Sequence, residues 1–388
     1  MDAAFVLAVV AILAFAFTNG FHDAANAIAT LVATRGARPG SAIILAAVCN
    51  MLGPLLLGAA VADTIAGIVE VTPAQTVIVV GAALTAAVIW NLLTWRWGLP
   101  SSSSHALVGG LVGAAVVEAG PGAVNWGGVG GGHPTGVVGV LVALAISPVL
   151  GFGAAWLMAR GVRRWMRRVT ARANRPVLRA QWVTSGWLAF SHGANDAQKA
   201  VGVLAVLLLA NGTTQSLSAP VSAILACAVA LTLGTAIGGW RIVKTIGRRI
   251  FRIRPVDGLV SQTSSAAVIL AATMVGAPAS TTQVVSSSVV GIGVGRRRYR
   301  HVGWEVVGSI LLAWVTTFRA AALLAAILVP SGGGCHAAQQ LVSAREPDVL
   351  DMLCRQAAVT CRSQVRATMR RGVGRDCWPS HRSWIRCR

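Results

Sequence analysis

Acidic residues are scarce in this chain: 12 Asp and Glu among 388 residues, against 33 basic ones of which only two are Lys. Charged side chains make up 12% of the sequence, apolar ones 55%, and the mean hydropathy is +0.68. So few charges exclude a water-soluble domain, because a chain of this length could not hide so much apolar surface in its core. Strict alternation of apolar and polar residues is also missing from the apolar runs, which argues against barrel strands and leaves helices as the way to satisfy backbone groups in lipid. No Lys or Arg precedes the first run, Met1 to Phe17, so it reads as a retained helix and not as a cleaved leader. The seven Cys include no CxxC pair; Cys49 and Cys227 lie in apolar runs and five follow residue 334, so neither a zinc site nor a defined disulfide framework is expected. The arginines are not interleaved with aromatic residues, which excludes nucleic acid as a partner.

What is present is a series of apolar stretches. They predict about ten transmembrane spans, near 2–19, 41–62, 77–97, 100–118, 136–159, 183–209, 217–239, 259–277, 278–294 and 303–329. The lipid bilayer is therefore the first expected partner. Arg35, Arg38, Arg96 and a central cluster from Arg160 to Arg179 alternate with loops that carry Asp63, Glu70 and Glu118 but no basic residue, and the positive-inside rule puts the arginines on the cytoplasmic side. Trp90, Trp95 and Trp97 near a span end suit an interfacial belt. The chain divides into a first membrane repeat (1–159), a basic cytoplasmic loop (160–182), a second repeat (183–329) and a basic, Cys-containing tail (330–388).

The word repeat rests on two motifs. Gly20-Phe21-His22-Asp23-Ala24-Ala25-Asn26-Ala27 returns in the second half as Gly193-Ala194-Asn195-Asp196-Ala197-Gln198-Lys199-Ala200. Pro100-Ser101-Ser102-Ser103-Ser104-His105 returns there as Pro278-Ala279-Ser280-Thr281-Thr282-Gln283, in the same order and at nearly the same separation. An odd number of spans separates the copies, so the second is inverted. The expected fold is an all-α polytopic membrane protein of two inverted-topology repeats, with broken or re-entrant helices after Pro100 and Pro278.

Eight acidic residues precede position 331, and only Asp23 and Asp196 lie within long apolar stretches. A carboxylate at the bilayer centre costs at least about 2.5 kcal/mol, so each must face a polar cavity or a cation. Asn26 and Lys199 stand one helical turn beyond them on the same face. If the helix is unwound there, backbone carbonyls could join as ligands for a hard cation. The prolines should start new half-helices whose N–H groups and hydroxyls make an anion site, which designates Ser101, Ser102, Ser103, Ser104, Ser280, Thr281 and Thr282. His22, His105 and His192 are candidates for a proton relay. Two carboxylates beside an anionic substrate demand an accompanying cation, hence symport or carriage of a neutral metal complex. The residues alone do not choose phosphate over sulfate. An intramembrane aspartyl protease also needs two buried Asp, but neither sits in a Gly-x-Gly-Asp context, and a channel fits an internal inverted pair poorly.

The segments GFHDAANAIAT, SHGANDAQKAVGV, PSSSSHALVGG and PASTTQVVSSSVVG closely resemble the inorganic phosphate transporter (PiT) family, and the likeness runs from about residue 5 to 317. The resemblance implies no enzyme activity and no cofactor, and low-affinity import of inorganic phosphate across the plasma membrane, alone or as a divalent metal phosphate. It implies coupling to H+ or Na+, and leaves room for a homodimer. It implies that Asp23, Asn26, Asn195 and Asp196 serve the cation and substrate centre, with no permanent metal, beside the hydroxyls of Ser102 to Ser104 and Ser280 to Thr282. A sulfate or other oxyanion symporter is the alternative. The likeness ends where Thr-Leu-Pro is expected and the chain reads Thr316-Thr317-Phe318-Arg319. A one-base slip turns codons for Leu-Pro into Phe-Arg, so a frameshift near residue 317 is expected to have produced the tail.

Overall fold

The computed structural model describes residues 3–130, 133–165, 174–217 and 219–330; the basic tail lies outside them. In chain order the helices are α1 (Ala3–Ala33), α2 (Pro39–Leu56), α3 (Ala60–Ala66), α4 (Pro73–Trp97), α5 (Ser103–Ala119), α6 (Gly136–Trp165), α7 (Asn174–Ala210), α8 (Val221–Ile237), α9 (Trp240–Lys244), α10 (Pro255–Met274), α11 (Thr281–Gly295) and α12 (Trp304–Leu328). One two-residue ladder, Val129 to Pro134, is the only sheet among the described residues. Proline at the first helical position starts α2, α4 and α10, where its missing N–H costs nothing. Helix continues to Trp165 and resumes at Asn174, well into the stretch expected to be a basic loop; 166–173 lie outside the described residues.

Six helices are long and apolar enough to cross a membrane: α1, α2, α4, α6, α7 and α12. α8 with the segment after it, bent by 59° at Gly238 and Gly239, makes a seventh. The expected count of about ten is reached only by adding α10, whose first half carries Asp257, Ser261, Gln262 and Ser264, and the short α5 and α11 of 17 and 15 residues. These two begin in the protein interior, at the buried residues after Pro100 and Pro278, and end at its rims. Each returns to the rim where its predecessor began. A bridge between Val69 and Val124 and the bond from Glu70 N to Ala123 O (2.8 Å) tie the start of α4 to the end of α5. The ion pair of Arg296 with Asp257 (2.5 Å) does the same for α10 and α11.

The two halves interlock. Gly20 of α1 lies so close to α8 that an added Cβ would sit 2.0 Å from the Leu231 carbonyl oxygen, and its counterpart Gly193 of α7 meets Asn50 O of α2 at 2.2 Å. Gly113 of α5 meets Ala322 O of α12 at 2.2 Å, and its counterpart Gly291 of α11 meets Phe152 O of α6 at 2.4 Å. In lipid, where no hydrophobic force pulls helices together, such backbone contact supplies the dispersion that does. Every one of these pairs joins a helix of one half to a helix of the other.

α1 and α7 each contribute to two apolar cores. One takes Phe5 to Ala16 and Ala200 to Leu207; the second takes Ala25 to Leu31 with Leu188 and Ala189. Between the cores, on both helices, runs a buried polar stretch, and that seam is where the half-helices begin. Both long helices pass through it unbroken, so the condition for backbone carbonyls to serve as ligands is not met there: intrahelical N–H groups use those carbonyls. The tryptophan belt also needs correction. Trp90 Nε1 donates to Thr317 Oγ1 (3.1 Å) and the Trp95 ring packs on Phe21 (centroids 4.7 Å apart), so only Trp97 is exposed as a belt residue would be. Arg319 stands exposed on α12, deep inside an otherwise uncharged stretch that begins after Glu305, where an arginine facing lipid costs about 2.5–3.5 kcal/mol.

Gly193→Ala and Gly113→Ala are each expected to lower stability by about 1–3 kcal/mol through forced helix separation, whereas Gly308→Ala, with nothing near its Cβ, should be neutral or slightly stabilising. Thermal unfolding of the detergent-solubilised variants checks the order.

Candidate functional site

α1 and α7 bring Asp23 and Asp196 to the seam, each 1% exposed. Pro100 and Pro278 end the preceding segments, and Ser102 and Ser280 follow as N-caps in extended conformation, so the first turns of α5 and α11 point their hydroxyls at the carboxylates. The Ser102 hydroxyl accepts from His105 N (3.3 Å); Ser280 makes no such cap and instead donates to Ser102 Oγ (2.9 Å), which links the two half-helices directly.

Asp23 collects donors from both halves. Thr282 donates to its Oδ1 (2.7 Å), Ser103 to its Oδ2 (3.3 Å), and His22 Nδ1 lies 2.8 Å from Oδ1. A carboxylate only accepts, so Nδ1 carries the proton there; His22 Nε2 faces the hydroxyls of Thr94 (3.3 Å) and Ser101 (3.4 Å). Asn26 Nδ2 donates to Thr282 Oγ1 at 3.0 Å. Asp196 is bonded by the Lys199 ammonium, lies 3.0 Å from His192 Nε2 and accepts from Thr281 (3.1 Å). Thr281 Oγ1 is also 3.5 Å from Asp23 Oδ2, so one hydroxyl stands between the two carboxylates. Lys199 further donates to Ser104 Oγ (2.7 Å) and the Ala279 carbonyl (2.8 Å). Asn195 turns away from Asp196: its amide donates to Thr273 Oγ1 (3.0 Å) and accepts from Ala279 N (3.2 Å), which fixes the loop ahead of α11.

The designated residues thus converge, with differences of role. Ser101 contacts Thr94 (2.8 Å) and His22; His105 is only half-buried and its ring is bonded to Ser102 (2.8 Å). Asp23, His192 and Asp196 each present one ligand atom within 4.8 Å of the others, a set that can hold a metal ion.

Several participants were not singled out in the sequence. Asn50 accepts from His192 Nδ1 (3.1 Å) and donates to Thr235 Oγ1 (2.9 Å), orienting the imidazole. Ser147 accepts from Ser280 N (3.3 Å). Asn19, which occupies in α1 the place His192 has in α7, and Asn91 are buried with both side-chain polar atoms unpartnered among the described residues. The signal for Asn19 was its place immediately ahead of the first motif, as His192 stands ahead of the second; polarity within an apolar run was the signal for Asn50 and Asn91.

Thr282→Val would leave Asp23 Oδ1 with His22 as its partner and Asn26 Nδ2 with only the longer contact to Thr281 (3.5 Å), and a stability loss of about 1–3 kcal/mol is expected. Thr281→Val leaves Asp196 with Lys199 and His192 and should cost less; equal or reversed losses in thermal unfolding would refute this division of donors.

A profile of the phosphate transporter family matches residues 19–325. A probable low-affinity inorganic phosphate transporter of Bacillus subtilis is 41% identical over 325 residues, covering 83% of this chain and 95% of that protein. The corresponding protein of Rhizobium meliloti is 40% identical over 337 residues, covering 85% and 95%. Among solved structures, a sodium-dependent phosphate transporter superposes with a TM-score of 0.74 at 25% identity, over 84% of this chain and 98% of that one. With the paired buried carboxylates and paired hydroxyl-bearing half-helices, these matches make this chain a multi-pass plasma-membrane protein of the phosphate transporter family.

Proposed function

We propose that the protein imports inorganic phosphate by symport with H+ or Na+, the anion held between the N-termini of α5 and α11. The supporting observation is that the donors facing this seam, Ser103, Thr281 and Thr282, are already committed to Asp23 and Asp196. An oxyanion that took those hydroxyls, together with the first-turn N–H groups that no helical carbonyl can meet, would take every hydroxyl from Asp23, leaving it His22, and the one hydroxyl from Asp196, leaving it Lys199 and His192, while adding negative charge beside them. In a buried site that state is prohibitive unless a cation arrives as well. Coupling follows from sharing one set of donors.

The carboxylates also favour phosphate over sulfate. Phosphate near neutral pH keeps one or two P–OH groups that can donate to Asp23 or Asp196, whereas sulfate has acceptors only and would face them unpaired. The donors are hydroxyls and N–H groups instead of bidentate guanidinium forks, which suits low affinity. A second reading, carriage of a divalent metal phosphate, is favoured by the Asp23, His192 and Asp196 ligand set. The Lys199 ammonium bonded to Asp196 opposes a divalent ion there, so a monovalent coupling ion is preferred.

Phosphate uptake into proteoliposomes under imposed Na+ or proton gradients tests the reading. Asp23→Asn is expected to abolish gradient-driven accumulation, and excess sulfate should not compete; uptake that survives the substitution, or that needs a divalent cation, would overturn it.

A further inference from the structure

Aligning the two copies of each motif pairs Asp23 and Asn26 of α1 with Asp196 and Lys199 of α7, and Ser101 and Ser104 with Ala279 and Thr282. Their chemistry differs at one point. In the first half the Thr282 hydroxyl donates straight to Asp23 Oδ1 (2.7 Å). In the second, the corresponding hydroxyl of Ser104 does not bond Asp196; the Lys199 ammonium stands between them, held by Asp196 Oδ1, Ser104 Oγ (2.7 Å) and the Ala279 carbonyl (2.8 Å). A carboxylate, a hydroxyl and a backbone carbonyl are the oxygen ligands of a small hard cation, and here they surround a charge tethered to the chain.

At the matching place in the first half is Asn26, whose Oδ1 is buried with no partner among the described residues. Its amide orientation follows from the hydroxyl protons: Thr282 gives its own to Asp23 and must accept from nitrogen, which leaves the oxygen free. A buried acceptor with nothing to accept is costly unless a ligand fills the gap.

We propose that Lys199 is a built-in cation that permanently fills the second-half ion site, so that only the Asp23 site takes a coupling ion. The Asp23 carboxylate, Asn26 Oδ1 and Thr282 Oγ1 are that ion's ligands. The cycle then carries one coupling cation fewer per phosphate than the twofold symmetry of the fold would otherwise require. This rests on the symport reading and extends it to stoichiometry.

The test measures charge moved per phosphate and the cation dependence of uptake in proteoliposomes of the full chain, with a Na+ gradient at equal pH and a pH gradient without Na+ applied in turn. The wild type should depend on the coupling cation to first order. Lys199→Asn, which copies Asn26, should need a second ion: uptake at low cation falls about tenfold or more, recovers at high cation with second-order dependence, and moves one more elementary charge per phosphate. The double variant Lys199→Met with Asp196→Asn removes both charges and should return to wild-type charge per phosphate. Second-order dependence in the wild type, an unchanged charge ratio in Lys199→Asn, or a double variant no better than Lys199→Met would each overturn the proposal. So would folded variants that are inert at every cation concentration, since Lys199 would then be serving the substrate itself. Absence of any gradient-driven uptake by the wild type is the separate failure of the symport reading.

Discussion

Two carboxylates in a space sealed from water, with the Thr281 hydroxyl within reach of both, set the terms for everything around them. Burial of one such charge is tolerable only with several donors or an opposite charge at hand. The chain supplies these unequally. Asp23 depends on three hydroxyls and a histidine, Asp196 on an ammonium, a histidine and one hydroxyl. The polar side chains on both long helices at this depth, and the interruption of helix at Pro100 and Pro278, serve that requirement, because hydroxyls can be aimed at a carboxylate from the first turn of a helix that starts beside it.

Such a centre has to be held by helices that do not splay, in a solvent that gives apolar side chains no reason to cluster. Backbone contact at paired small residues does this, and it does so across the repeat: α1 against α8, α7 against α2, α5 against α12, α11 against α6. A consequence is that neither half builds its own site. Thr281 and Thr282 belong to the second half and bind Asp23 of the first; Ser104 belongs to the first and binds Lys199 of the second. Relative motion of the halves therefore acts directly on the bonds at the centre.

Much of this was legible in the sequence because lipid makes polarity conspicuous. Asp23 and Asp196 stood out as charges in apolar runs, the hydroxyls as clusters after proline, and the repeat tied them together. Two things escaped. Continuity of α1 and α7 through the motif was hidden because Gly and Ala suit a packed helix as well as an unwound one. The polarity of Asn50 was visible in its apolar run, but its bonding to His192 and Thr235, and that of Ser147 to Ser280, is set by tertiary proximity that single residues in apolar runs do not announce.

The C-terminal end of α12 is a tension of another kind. Thr317 is buried, receives the Trp90 indole and is followed by Phe318, whose carbonyl lies against Gly109, so packing continues without fault past the point where the family likeness was expected to stop. Arg319 faces outward on the next step of the same helix. Its stem is long enough to bring the guanidinium toward an interface from within a turn or two, and deeper placement bends the bilayer instead. Packing on the inner face of α12 tolerates many apolar residues while lipid exposure tolerates few charged ones, so Arg319 is the costly residue of this helix and its inner face is not.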